Sequence, residues 1–229
     1  MRVSCIYLYG CSGINADDLA SYLSRTFGIS CTKLYLDYNQ YEMGACAIGN
    51  IYRPHQLHSN MNPIIRDGHH LYDGYCMLDI LGAGVRHRNG ALHIIFTDLL
   101  ACTYDNSDNR YHARSVILAN PSMISIPGII EAPAKSREYY ADLMTGHDLT
   151  QYDGQFLTYD DKTRLDQVIR GYCMQCIFYY TSGEAFCMDK DCILYNAHWQ
   201  SDLLHSQIES GRLCNHHQTI LQKIRNGTA

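Results

Sequence analysis

Four residues near the C-terminal end have the types and spacing of a metal site. Cys187-Met-Asp-Lys-Asp-Cys192 sets two thiols on either side of a charged loop, and Cys214-Asn-His-His217 adds a third thiol and an imidazole. Two short ligand pairs separated by a compact helical stretch form the layout of a closed tetrahedral site, and thiolate with imidazole is a donor set that suits zinc. In such a site the ligands lie about 2.0–2.3 Å from the ion and leave no position for water, so the ion serves structure. Its binding can contribute on the order of 10 kcal/mol of apparent folding free energy. The expected ligands are therefore Cys187, Cys192, Cys214 and His217 around one structural Zn2+, with His216 open as an alternative to His217. The competing reading makes them ordinary core cysteines and surface histidines, but bare thiols have little reason to flank an Asp-Lys-Asp loop.

A second pair, Cys173-Met-Gln-Cys176, falls inside a helical pattern. Thiols three residues apart share a helix face and suit metal or redox chemistry. Cys176 also continues the apolar stripe of that helix, and free cysteine is among the most buried residue types, so core packing is the stronger expectation. Twelve histidines keep open a second, open metal site. His55, His58, His69 and His70 lie in the polar middle of the chain, His87 and His93 near a strand, and His112 in Arg110-Tyr-His-Ala-Arg114, but no pair has a spacing that demands metal. The stretch Gly128–Tyr140 mixes charges with a Pro-stiffened loop. Arg137 there suits an anionic group, and a structural ion pair tying loop to core is the plainer expectation.

These groups need elements to position them. Residues 164–182 carry apolar side chains at Leu165, Val168, Ile169, Tyr172, Cys176, Tyr179 and Tyr180, the stripe of a helix with one buried face. Thr163 with Asp166 predicts its cap, and Gly183 its end. A second helix is expected after Asn196, burying Trp199, Leu203 and Ile208 and stopping at Gly211, and a last one over 216–225. Upstream, 3–8, 31–36, 92–97 and 115–119 read as strands. Residues 16–27, capped by Asn15 and stopped by Gly28, read as a helix. Residues 37–88 show weak periodicity and read as long loops with one helix near 71–81.

Composition narrows the classes. The 229 residues are 46% apolar and 18% charged with a formal charge of −5, enough for a sizeable core and without the basic footprint of a nucleic-acid or anionic-lipid binder. No run approaches the ~18 apolar residues of a membrane span, and the apolar start alternates like a strand and not like a signal peptide. Eleven cysteines, odd in number and scattered, point to a reducing, cytoplasmic setting in which disulfides are seldom formed.

Gly183-Glu-Ala-Phe-Cys187-x4-Cys192-Ile-Leu-Tyr with Cys214-x2-His217 resembles the C-terminal signature of the archaemetzincin metallopeptidases. The likeness runs from about residue 165 to the end. Stretches such as His93–Asp98, Arg110–Arg114, Gly128–Tyr140 and Tyr195–Gln200 are similar to an archaeal family of metallopeptidase-like proteins. The resemblance implies one metzincin-like α/β domain over 1–229. Its twisted mixed sheet with long loops would span 1–160, and a long helix with a C-terminal zinc-stabilised helical subdomain 161–229. Archaemetzincins carry His-Glu-x-x-His-x-x-Gly-x-x-His directly before the first knuckle cysteine. In that register the three zinc histidines fall on Cys176, Tyr180 and Phe186, the general-base glutamate on Ile177, and the Met-turn methionine on Leu194. Hydrolysis needs three protein ligands around an open zinc position and a carboxylate base, and none of the five residues matches. The expectation is a pseudoenzyme with no catalytic residues, whose apolar-packed face is closed by Phe186 and which binds a peptide or protein partner along a sheet edge. The alternatives are an active zinc metallohydrolase with a rearranged site and a thiol activity at Cys173 and Cys176.

Overall fold

The computed structural model describes residues 3–55, 63–66, 68–86 and 88–228. His58 and His87 lie outside them. The chain forms two compact units, Val3–Ala20 with Ser30–Ala132, and Ser21–Ile29 with Pro133–Ala229.

The first is mixed α/β. Strands β1 (Cys5–Tyr9), β2 (Ser30–Lys33), β5 (Ala91–Thr97), β8 (Val116–Ile117) and β9 (Ser122–Ser125) form a five-stranded sheet in the order β2-β1-β5-β9-β8. Its pairs are parallel except β8 with β9, and β1 meets β5 in the register Cys5↔Ala91 to Tyr9↔Ile95. Every residue of β1 and all but Thr97 of β5 are buried, as expected of parallel strands covered on both faces. A second, four-stranded sheet has the order β3-β4-β6-β7, from β3 (Ile65–Arg66), β4 (His69–Asp73), β6 (Leu100–Asp105) and β7 (Arg110–Ala113). Helices α2 (Gln40–Ala45) and α3 (Gly74–Ala83) belong to this unit. Met43, Met77 and Leu81 join Tyr7, Tyr9 and Ile95 of the larger sheet in one core.

Several expectations change here. The helix placed near 71–81 starts at Gly74, because the Asp73 side chain accepts the N–H groups of Tyr75 and Cys76 and ends β4 by capping α3. The described residues of 37–88 therefore hold two strands and two helices where long loops with one helix were expected. Of 115–119 only Val116–Ile117 is strand. Cys46 and Cys76, with Cα atoms 5.6 Å apart, form a disulfide, against the expectation from composition, since the fold sets the C-cap of α2 beside the first turn of α3.

Helix α1 (Ala16–Phe27) has the expected bounds, with Asn15 accepting the N–H of Asp18. The second unit carries α4's successor elements: α5 (Arg137–Thr145), α6 (Lys162–Ser182), α7 (Gln200–Leu204), a π-helical turn over His205–Ser210 and α8 (Asn215–Asn226), while α4 (Ile126–Glu131) stays with the sheets. Helix α6 is capped by Asp161, whose carboxylate accepts the Arg164 N–H, and not by Thr163. It ends at Gly183, whose φ of 79° is a left-handed value suited to glycine. Gly171 to Phe178 are buried without a break, so the helix is enclosed on every side there, where a single stripe was expected. One neighbour is the π-turn, since a Cβ on Gly171 would meet Gln207 Oε1 at 2.4 Å. Trp199, expected in the core, is 40% exposed at the start of α7, and Ile208 is half-buried.

Candidate metal centre

The Cys-His cluster assembles from three backbone devices. Gly183 turns the chain out of α6 into the loop carrying Cys187. The N–H groups of Asp189 and Leu194, two residues beyond Cys187 and Cys192, point at those sulfurs. Backbone bonds from Cys187 N–H to Leu194 O (2.9 Å) and from Ile193 N–H to Arg212 O (2.7 Å) tie the loop shut and bring up the segment before Cys214. Helix α8 then starts at Asn215 and sets His217 in its first turn.

One donor atom from each of Cys187, Cys192, Cys214 and His217 lies within 4.8 Å of every other. Cys187 Sγ is 3.9 Å from Cys214 Sγ, and His217 Nδ1 is 3.1 Å from Cys214 Sγ and 3.8 Å from Cys192 Sγ. Tetrahedral zinc with Zn–S near 2.3 Å and Zn–N near 2.0–2.1 Å requires S···S of about 3.8 Å and S···N of about 3.5 Å. The spacing and the donor chemistry both fit that ion. His216 stands apart: it is exposed, and its Nε2 lies 2.7 Å from Glu184 Oε2. Glu184, His216 and His217 also offer three donors within 4.8 Å of one another.

Burial sets the protonation chemistry. It raises the Cys187 thiol and pushes the Cys192 thiol up to about 12, while it lowers the pKa of His217. The neutral imidazole needed for ligation is favoured, and a metal would displace protons from the thiols. Phe178 of α6 meets the His217 ring edge-on, with centroids 5.6 Å apart, and fixes its plane. His217 Nε2 is buried with no hydrogen-bond partner among the described residues.

The remaining candidates are dispersed. Cys173, Cys176 and Ile177 are fully buried, and neither cysteine is in a disulfide. Tyr180 is half-buried, and Phe186, expected to close a ligand position, is 43% exposed because the turn after Gly183 carries it outward. His93 is buried with Nδ1 3.1 Å from Tyr9 Oη, and His55 lines a cavity. In the β6–β7 turn, Asp105, Asp108 and His112 bring three donors within 4.8 Å, a grouping the sequence reading missed because strand pairing creates it. Arg110 and His112 already pair with Asp108 there. Among the described residues, Glu131, Lys135, Arg137 and Glu138 make no ion pair. Arg137 is exposed in the first turn of α5, and Lys135 lies 4.9 Å from the Tyr139 ring.

Two mixed sheets with a long buried helix and a candidate Cys/His metal cluster describe a mixed α/β protein. The fold is similar to that of a zinc-dependent peptidase from Methanocorpusculum labreanum (strain Z), with a TM-score of 0.53 and 12% identity over 94% of this chain and 99% of that one. The chain belongs to the family described as "Probable metallopeptidase family (DUF6775)", whose model matches residues 4–224. No curated protein matches the sequence. Among the described residues no helix is long and apolar enough to cross a membrane.

Proposed function

We propose that the protein is a zinc-stabilised, non-catalytic member of its family that binds a peptide or protein partner. The observation that carries this is the convergence of four donor atoms, three thiols and one imidazole, at tetrahedral spacing. Such a set fills the coordination sphere of zinc and leaves no position for water or substrate. When bound, the ion cross-links the Cys187–Cys192 loop to the first turn of α8.

The positions matched to the catalytic signature by the archaemetzincin resemblance support the non-catalytic role. Cys176 and Ile177 are sealed in the core, and Leu194 at the Met-turn position is fully buried. Phe186 has no donor atom, and Tyr180 offers a phenol in place of the signature's imidazole. No general base stands at 177, so nothing there takes a proton from water. A partner-binding role is supported by β2, an edge strand with three of its four residues exposed, the kind of edge to which an extended peptide adds as a strand.

A second reading, an active zinc metallohydrolase with a rearranged site, is favoured by the family's description and by the zinc-dependent peptidase of similar fold. Metal analysis and peptidase assay on one preparation separate the two. We expect one zinc per chain and no hydrolysis of unstructured peptides above a buffer control. Two zinc ions per chain, with turnover that a chelator abolishes and added zinc restores, would establish the metallohydrolase instead.

A further inference from the structure

We propose that Glu184 is a positioning residue for the metal centre. Its carboxylate accepts the Nε2 proton of His217, directly or through one ordered water, and so orients the imidazole ligand. This role rests on the four-donor zinc site proposed above and adds a fifth residue behind it.

The need for an acceptor follows from the tautomer. His217 turns Nδ1 toward the thiols, 3.1 Å from Cys214 Sγ and 3.8 Å from Cys192 Sγ. A neutral imidazole that ligates through Nδ1 carries its hydrogen on Nε2. With the four donors around zinc, Nε2 is therefore an obligatory N–H donor, and it is buried with no hydrogen-bond partner among the described residues. His217 is only 2% exposed, so bulk solvent does not serve this proton and a fixed acceptor is needed. Metal-bound histidines donate their second ring proton to a carboxylate, a carbonyl or a water, which fixes the ring and raises its basicity.

The fold brings a carboxylate to this place. Glu184 follows Gly183, where the left-handed turn leaves α6. One oxygen of Glu184, one ring nitrogen of His216 and one of His217 lie within 4.8 Å of one another. Glu184 uses Oε2 for His216 Nε2, at 2.7 Å, and Oε1 has no partner among the described residues. The His216 and His217 rings are neighbours at 80° with centroids 4.9 Å apart. The terminal torsion of a glutamate is soft, so Oε1 can swing toward His217 while Oε2 keeps His216, and one water can span the remaining gap. Phe178 packs against the same imidazole but offers no acceptor oxygen. The two adjacent histidines thus have different tasks: His217 binds, and His216 holds Glu184.

Competition of the purified full-length protein with a chromophoric zinc chelator tests this in the wild type, Glu184→Gln, Glu184→Ala and Asp189→Asn. We expect Glu184→Gln to bind zinc about tenfold more weakly and Glu184→Ala more weakly still, by up to about a hundredfold. Asp189→Asn removes a negative charge from the Cys187–Cys192 loop and keeps the oxygen that accepts the Asp191 N–H. It should cost much less, which separates the hydrogen bond from net charge. In NMR of the zinc-loaded protein with 15N-labelled histidine, His217 should be metal-bound through Nδ1 and carry a slowly exchanging Nε2 proton. In Glu184→Gln that proton should move upfield and exchange faster, a change that loss of packing alone does not give. A wild-type chain that takes up no zinc at these donors would remove the zinc reading and this one together. With zinc bound normally by the wild type, four results would each overturn the role of Glu184 alone: unchanged affinity in Glu184→Gln, an unmoved Nε2 proton, an equal loss in Asp189→Asn, or ligation through Nε2.

Discussion

At the scale of single residues, the choice between His216 and His217 turns on one helical step. Residues adjacent on a helix point about 100° apart, so α8 turns His217 toward the thiols and His216 toward Glu184. His217→Ala and Cys214→Ser should each reduce the metal content from one zinc per chain to almost none and strongly destabilise the fold, whereas His216→Ala should keep the metal. Elemental analysis of the three variants decides this, and loss of zinc from His216→Ala alone would reverse the assignment. Nearby, His205 lies 2.7 Å from Asp191 through Nε2 and 2.8 Å from Glu209 through Nδ1, and these carboxylates raise its pKa. Charged His205 therefore stabilises the fold fully below the unfolded value near 6.5, and that contribution fades as pH rises through the higher native value. An NMR titration should place its midpoint above 6.5 and return it toward that value in the Asp191→Asn, Glu209→Gln double variant. A wild-type midpoint at or below 6.5 would contradict the pairing.

At the scale of elements, the long helix shows what periodicity conveys and where it stops. Its bounds were legible to within two residues, because apolar spacing and Gly183 are local signals. Its environment was not, because polar Gln175 and small Gly171 are buried only by what packs around them. The capping residue also differed: Asp161 has its carboxylate on the Arg164 N–H, and Arg164 in turn bonds the carbonyls of Gly154 and Phe156. Asp161→Ala should cost about 1 kcal/mol or somewhat more in a urea melt, while Thr163→Ala should cost much less. Complete burial of Cys173 and Cys176 makes a second test. Both should resist a small alkylating reagent in the native protein and react after unfolding, and rapid native labelling would revive a thiol-based activity. The short strands β4, β6, β7 and β9 escaped the sequence reading, since their stability comes from partners distant in the chain and hardly from local pattern.

At the scale of the whole molecule, removal of the ion by a chelator should lower the thermal midpoint and added zinc should restore it, because a ligand that binds only the native state stabilises it by mass action. A midpoint indifferent to chelation would deny the ion a structural role. What the sequence determined by itself was local or chemical: the candidate donor types and their pair spacing, the helix stops at Gly28, Gly183 and Gly211, and the buried strand over 92–97. Periodicity, capping and donor chemistry act within a few residues of chain, so they can be read in order. Only tertiary structure decided the pairing of Cys46 with Cys76, the turn that unites Asp105, Asp108 and His112, the cavity between α2 and α3, and the exposure of Trp199 and Phe186. Each depends on the distance between groups far apart in sequence, and that distance is set by the packing of the whole fold.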